Sequence, residues 1–265
     1  MSRPTTLSAP SLAEATQPSL ACSQGLTHVV PPLLKTPPTR LPNGQRPVVF
    51  CDFDGTLTQR DVVVMVMERF APPQWQGIAH AMLEAKTLSL REGIGQLFAL
   101  LPSHLAPEIE AFVRAEVTLR EGFTELLATC QAQGIPFYVV SGGLDVLIQP
   151  VLQSYAGQYH LFCNVATFTH ETMGVATPYL PQGVCQACNH CACCKVAVLN
   201  LHPATAWHRV AVGDGLTDWG MAHHADTVYA RGSLARDMKA KGLPYTHFKT
   251  LHTVTEGLQN LVTAN

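Results

Sequence analysis

Charge is scarce in this chain. Asp, Glu, Lys and Arg make up 14% of its 265 residues, well under the roughly 25% usual in soluble domains. The two signs nearly balance, with 17 basic and 19 acidic side chains. No basic field is present to attract a nucleic-acid backbone or an anionic membrane, so neither is expected as a partner. Long apolar runs are lacking too: the densest, Val62–Met67, falls far short of the roughly 20 residues that span a bilayer. The nine cysteines are an odd count, and Cys22, Cys51, Cys130 and Cys163 are scattered without the spacing of a secreted disulfide framework. The N-terminus has no compact apolar core followed by a small-residue cleavage site, so no secretory signal is expected and a reducing, cytoplasmic compartment fits best.

What is present divides unevenly along the chain. Residues 1–46 are rich in Pro, Ser and Thr, hold one acidic residue (Glu14), and show no sustained period. Such a segment buries too little apolar surface to offset its ordering entropy, and a disordered tail is expected. An organelle transit peptide is the alternative, since those are also Ser-rich and poor in acid. From Pro47 onward the pattern sharpens. Pro47–Cys51 and Pro136–Val140 read as short buried strands, Leu161–Phe168 as a third with a hairpin-like stretch to Tyr179, and Arg209–Val212 and Thr227–Ala230 as two more. Helical stretches are expected over Asp61–Phe70, Gly77–Ala85, Leu90–Leu101, Pro107–Gln133 and Leu251–Val262. This alternation predicts an α/β fold, a Rossmann-like parallel sheet with helices on both faces.

One β–α–β step takes about 30 residues, yet Asp52 and Ser141 stand 89 positions apart. The excess is almost all helical. It predicts a helical cap over residues 64–122, inserted into a core of residues 47–63 and 123–265.

Open α/β sheets bind ligands at the carboxyl ends of their strands. Three polar groups follow the predicted strands directly: Asp52-Phe53-Asp54-Gly55-Thr56, Ser141-Gly142-Gly143, and Gly213-Asp214-Gly215-Leu216-Thr217-Asp218. Lys195 opens a further apolar run. Asp52, Asp54, Asp214 and Asp218 would then converge on one edge, and carboxylates so close repel unless a cation joins them. A hard divalent metal is implied, and Mg²⁺ suits oxygen ligands. Lys195, Ser141 and free backbone N–H groups such as that of Gly142 are candidates to hold a phosphate.

The order DxDGT, S-G-G, Lys, GDxxxD resembles the haloacid dehalogenase superfamily of aspartyl-phosphate phosphatases. The insert between the first two motifs is similar to the cap of its phosphoserine-phosphatase-like branch. Longer stretches, among them CDFDGTLTQRD, FAPPQW (Phe70–Trp75), TLSLREGIGQLFALLP (Thr87–Pro102) and CACCK (Cys191–Lys195), are similar to a small-metabolite phosphatase of that branch over roughly residues 47–260. The resemblance implies Asp52 as nucleophile and Asp54 as general acid and base. It implies Asp52, the Asp54 carbonyl and Asp214 as Mg²⁺ ligands, and Ser141, Gly142 and Lys195 on the phosphate of a small phosphate monoester. Asp218 would orient Lys195 or a metal-bound water. Asp61 and Arg91 are candidates to touch the rest of the substrate, or else lie on a solvated helix face.

Departures from phosphoserine phosphatases bear on the substrate. By the resemblance, Asp61 stands where they have Glu, Gly93 near where they have a headgroup-binding Arg, and Thr217 where they have Asn. A glycine cannot replace bidentate carboxylate recognition. The apolar set Val63, Met65, Met67, Phe70 and Trp75 suits a thioether-bearing chain, or plain helix packing. Finally, Cys185, Cys188, Cys191, Cys193 and Cys194, with His190 among them, offer soft ligands for a structural Zn²⁺. Reduced thiols or a reversible disulfide fixing the loop before Lys195 are the alternative. Within the phosphomonoesterases the alternative is a phosphoserine phosphatase or another small-metabolite phosphatase of the same branch. The rival of a different class is a non-catalytic regulatory protein built around that metal loop.

Overall fold

The computed structural model describes residues 39–168, 171–180 and 191–263. Strand β1 (Arg46–Cys51) is buried along nearly its whole length, as a central parallel strand must be when both sheet faces are covered. Its side chains alternate: Val48 and Phe50 join the apolar cluster on one face, Val49 and Cys51 the cluster on the other. Around it, among the described residues, lie β2 (Phe137–Leu144), β3 (His160–Thr167), β4 (Gly174–Ala176), β5 (Trp207–Gly213), β6 (Thr227–Ala230) and β7 (Thr246–His247), in the order β4-β3-β2-β1-β5-β6-β7. All neighbours run parallel except β3 and β4. The chain winds outward to one side of β1 and then to the other, so the crevice between β1 and β5 is the topological switch point where such sheets bind ligands.

The insert carries α1 (Val62–Phe70), α2 (Trp75–Leu83), α3 (Leu90–Phe98) and α4 (Ala106–Glu116). Local chemistry sets their ends. The Asp61 carboxylate accepts from Val64 N at 2.9 Å to cap α1, which ends just before Pro72-Pro73. Ser89 and Glu92 form a reciprocal capping box at α3. Helix α1 starts two residues before position 64, so its first turn lies on the core side of the expected cap limit.

The single helical stretch expected over 107–133 is two helices, α4 and α5 (Phe123–Ala132). Residues 117–120 between them leave the helix because they pair with the outgoing linker, before a turn at 121–122: Thr58 bridges Leu119, and Gln59 N donates to Thr118 O at 3.0 Å. Tertiary pairing overrides the helical period there. On the first side of β1, α6 (Asp145–Leu152) connects β2 to β3. The chain then adds α7 (Lys195–Leu199), α8 (Trp219–His224), α9 (Gly232–Ala240) and α10 (His252–Thr263).

Residues 39–45, grouped with the tail by composition, dock on the core instead. Thr39 N and Oγ1 donate to Gln133 O at 3.1 and 2.6 Å, and Leu41 is buried. Among the described residues, no helix is long and apolar enough to cross a membrane.

Candidate active site

Asp52 follows β1 directly, and its main-chain N donates to Val212 O of β5 at 2.9 Å, so the sheet ladder itself holds it. Its carboxylate accepts from the Lys195 ammonium. Lys195, the first residue of α7, also donates to Asp218 Oδ1 at 2.6 Å. The other oxygen of Asp218 accepts from Asp214 N and Gly215 N, both at 3.0 Å. Thr56 Oγ1 donates to Asp214 Oδ1 at 2.9 Å. The turn between Asp52 and Thr58 needs Gly55, whose φ is +73° and whose absent Cβ would sit 2.6 Å from Asp214 Oδ2.

Asp54 hangs from this turn. Its Oδ1 accepts from Val62 N at 2.9 Å and its Oδ2 from Ser141 Oγ at 3.3 Å. The Ser-Gly-Gly stretch lies inside β2 rather than after it, at a register shift between Val140 and Leu144. Ser141 is fully buried with its hydroxyl on Asp54 and Gly143 N, whereas Gly142 lines the open cavity.

Burial sets the electrostatics. It pushes the Asp52 carboxyl well up, with repulsion from Asp218 adding to it and Lys195 opposing. Burial alone would lower Lys195, but Asp218 and Asp52 outweigh it and hold the ammonium above the ordinary lysine range. Asp214 rises to about 6, through burial and then repulsion from Asp218. Asp54 is raised to about 7 by burial and then by Asp61, against the stabilising Val62 N–H. Oxygens of Asp52, Asp214 and Asp218 lie within 4.8 Å of one another. One ammonium therefore faces an excess of carboxylates, a donor set that fits a hard divalent cation.

Above this floor, a cavity of about 940 Å³ opens between the sheet edge and the cap. Asp52, Asp54, Lys195 and Asp214 line its floor, Asp61 borders it, and its cap side is mostly apolar, with Val63, Met67, Trp75, Met82, Ile94 and Leu97 beside one cation, Lys86. Of the expected apolar set, Val63, Met67 and Trp75 face this space; Met65 is buried away from it, and Phe70 packs edge-on against Phe112 at 5.4 Å. Arg91 is exposed on the first turn of α3 and does not line the cavity. Gly93 is buried behind Met82.

The cysteine run divides. Cys185, Cys188 and His190 lie outside the described residues. Cys191 and Cys193 border the cavity; the Cys193 thiol points at Phe162 O, 4.0 Å away, and burial pushes it up to about 12.

Sequence reasoning placed Thr56 in the first motif without giving it a role, and missed Arg120 and Arg231. Arg120, on the linker returning from the cap, is 8% exposed and donates to the carbonyls of Gly55 and Thr56, both at 2.7 Å. Arg231 also donates to Gly55 O, at 2.8 Å. No local signal marks either arginine, because the turn carbonyls they hold are 62 or more positions away in the chain.

The sequence profile of the haloacid dehalogenase-like hydrolases matches residues 49–223. A 2-hydroxy-3-keto-5-methylthiopentenyl-1-phosphate phosphatase of Geobacillus kaustophilus is 40% identical over 214 residues, covering 81% of this chain and 96% of the relative. The enzyme of the same name from Bacillus velezensis is 35% identical over 215 residues, covering 81% and 91%. Among solved structures, a substrate-bound phosphoserine phosphatase complex is similar with a TM-score of 0.61 at 19% identity, covering 80% of this chain and 98% of that one. The phosphoserine phosphatase of T. onnurineus gives 0.60 at 16%, covering 83% and 97%. At these identities the structural likeness speaks for the fold alone.

Proposed function

The chain belongs to the haloacid dehalogenase-like hydrolase family, and from that membership we propose that it dephosphorylates 2-hydroxy-3-keto-5-methylthiopentenyl-1-phosphate through an aspartyl-phosphate on Asp52. The observation that carries this reading is the pairing on the cavity floor: Asp52 held by Lys195 beside Asp54, whose carboxylate is fixed by Val62 N and the Ser141 hydroxyl. An Asp52 oxygen attacks phosphorus, and the ester P–O bond breaks with its electrons going to the leaving oxygen. That oxygen takes the proton of Asp54. Water then attacks the phosphorus, Asp54 takes its proton, and the bond to Asp52 breaks to release phosphate. Lys195 offsets the negative charge of substrate and nucleophile together, and Ser141 holds Asp54 in place.

Asp52, the Asp54 carbonyl and Asp214 are the residues that would hold Mg²⁺. Bound there, the cation would offset charge on the phosphoryl oxygens. For the cysteine run the proposed role is structural, zinc or thiol packing that steadies the segment before Lys195, and metal analysis of the purified protein separates the two.

The largely apolar cap wall, with Val63, Met67, Trp75, Met82, Ile94 and Leu97, favours a thioether-bearing carbon chain, whereas Asp61 and Lys86 are the charged groups on that side that a zwitterionic head such as that of phosphoserine would have to use. Phosphate release from a panel of this ester, phosphoserine and phosphoethanolamine, with Mg²⁺ and after EDTA, tests the reading. The methylthiopentenyl ester should be turned over fastest and only with the metal. Faster turnover of phosphoserine, or full activity after chelation, would reject it.

A further inference from the structure

We propose that Arg120 is a positioning residue for proton transfer, fastening the turn that carries Asp54 to the linker on which the cap returns to the core. The side chain donates from Nε to Thr56 O at 2.7 Å, and from Nη2 to Gly55 O at 2.7 Å and Thr58 O at 2.8 Å. Its main-chain N donates to Leu57 O at 2.7 Å. One residue thus satisfies four consecutive carbonyls of the turn, 55 to 58. The turn needs such a partner because Asp54 and Gly55 leave helical φ/ψ, so carbonyls along it lack the usual intrahelical donors. A guanidinium presents its donors in a fixed fork suited to several acceptors, which an ammonium cannot copy.

The two carboxylates depend on this clamp unequally. Asp52 is fixed by the β1–β5 ladder and by Lys195, on elements Arg120 does not touch. Asp54 lies on the clamped turn itself and reaches Val62 N, the first residue of the cap's first helix. Arg120 in turn sits on the returning linker, beside the Thr58–Leu119 bridge. Loosening the clamp should therefore displace the acid while sparing the nucleophile. Arg120 thereby couples cap placement to proton delivery, alongside the direct bond from Val62 N to Asp54.

The inference rests on Asp54 being the general acid, and its test separates the two ideas. For Arg120→Met and Arg120→Lys, kcat/KM is measured with hexyl phosphate, whose alkoxide must be protonated, and with para-nitrophenyl phosphate, whose phenolate leaves without a proton. This parameter reports the steps through phosphoryl transfer to Asp52. A displacement of about 1 Å costs on the order of 100-fold. Measured at saturating Mg²⁺, because the same turn carries the Asp54 carbonyl, Arg120→Met should lose at least about 10-fold more with hexyl phosphate than with para-nitrophenyl phosphate. Arg120→Lys should fall between it and wild type. The ratio of the two substrates is taken within one preparation, so a reduced folded fraction cancels. Equal losses on both esters, no loss on either, or complete inactivity of both variants would overturn the proposal. Asp54→Asn is the control: if it too fails to split the esters, the acid assignment fails rather than the role of Arg120.

Discussion

Gly93→Ala should shorten the pocket that accepts the substrate's tail. In α3, a Cβ at Gly93 would fall against the Met82 sulfur, 2.9 Å from its Cγ and 3.1 Å from its Cβ. Most of the Met82 side chain must then move. Helix α3 stands behind it and the cavity in front, so the thioether should swing into the cavity. Overpacking of this kind costs about 1–3 kcal/mol, and replacing a helical glycine returns about 1 kcal/mol, so the fold should survive. Binding should feel the change more. Each buried methylene is worth about 0.8 kcal/mol, close to fourfold. From ethyl to hexyl phosphate, esters of similar leaving-group acidity, wild-type kcat/KM should therefore climb by on the order of 200-fold if every added methylene is buried. In Gly93→Ala, the intruding thioether takes the room of about two methylenes, which should cut that climb to on the order of 10-fold while leaving ethyl phosphate unchanged. An unchanged climb would show that Met82 relaxes elsewhere. A flat wild-type series would show that the apolar wall does not hold the tail at all.

Asp52→Asn keeps the size of the nucleophile and removes its charge, so turnover should fall by several orders of magnitude with circular dichroism unchanged; substantial turnover would sink the covalent mechanism. A third test concerns pH and stability. His202 is buried under Phe50, Tyr138 and Trp207, with Nε2 3.1 Å from the Tyr138 hydroxyl. Burial lowers its pKa to about 4, against about 6.5 in the unfolded chain. The unfolded state therefore binds the proton first, so stability is full above about pH 6.5 and falls as pH drops toward 4. The expected loss is about 2 to 3 kcal/mol. Urea midpoints at pH 7 and 4.5 should converge for His202→Phe relative to wild type, and equal pH dependence in the two proteins would refute the assignment.

The parts of this protein written in contiguous residues were legible before any coordinates. Short apolar runs bounded by turn residues, such as PVVFC and TVYA, suit strands buried on both faces of a parallel sheet, and both are strands here. Acids directly after β1 and β5 must reach the same edge once those strands pair. The 89-residue gap between Asp52 and Ser141 forces an insert whatever its packing. Long-range partnership was not legible. The helical period over 107–133 was broken by pairing with Thr58 and Gln59, a contact no local window contains. The burial of the Ser141 hydroxyl on Asp54 depends on where β2 sits beside β1. Arg120 has its acceptors 62 to 65 positions upstream, and Gly93 owes its identity to Met82 on the neighbouring helix. Local propensity and spacing choose the elements and bring the chemistry to one edge of the sheet. Which side chain steadies the acid, and how deep the apolar pocket runs, are fixed by contacts between elements that become neighbours only when the chain is folded.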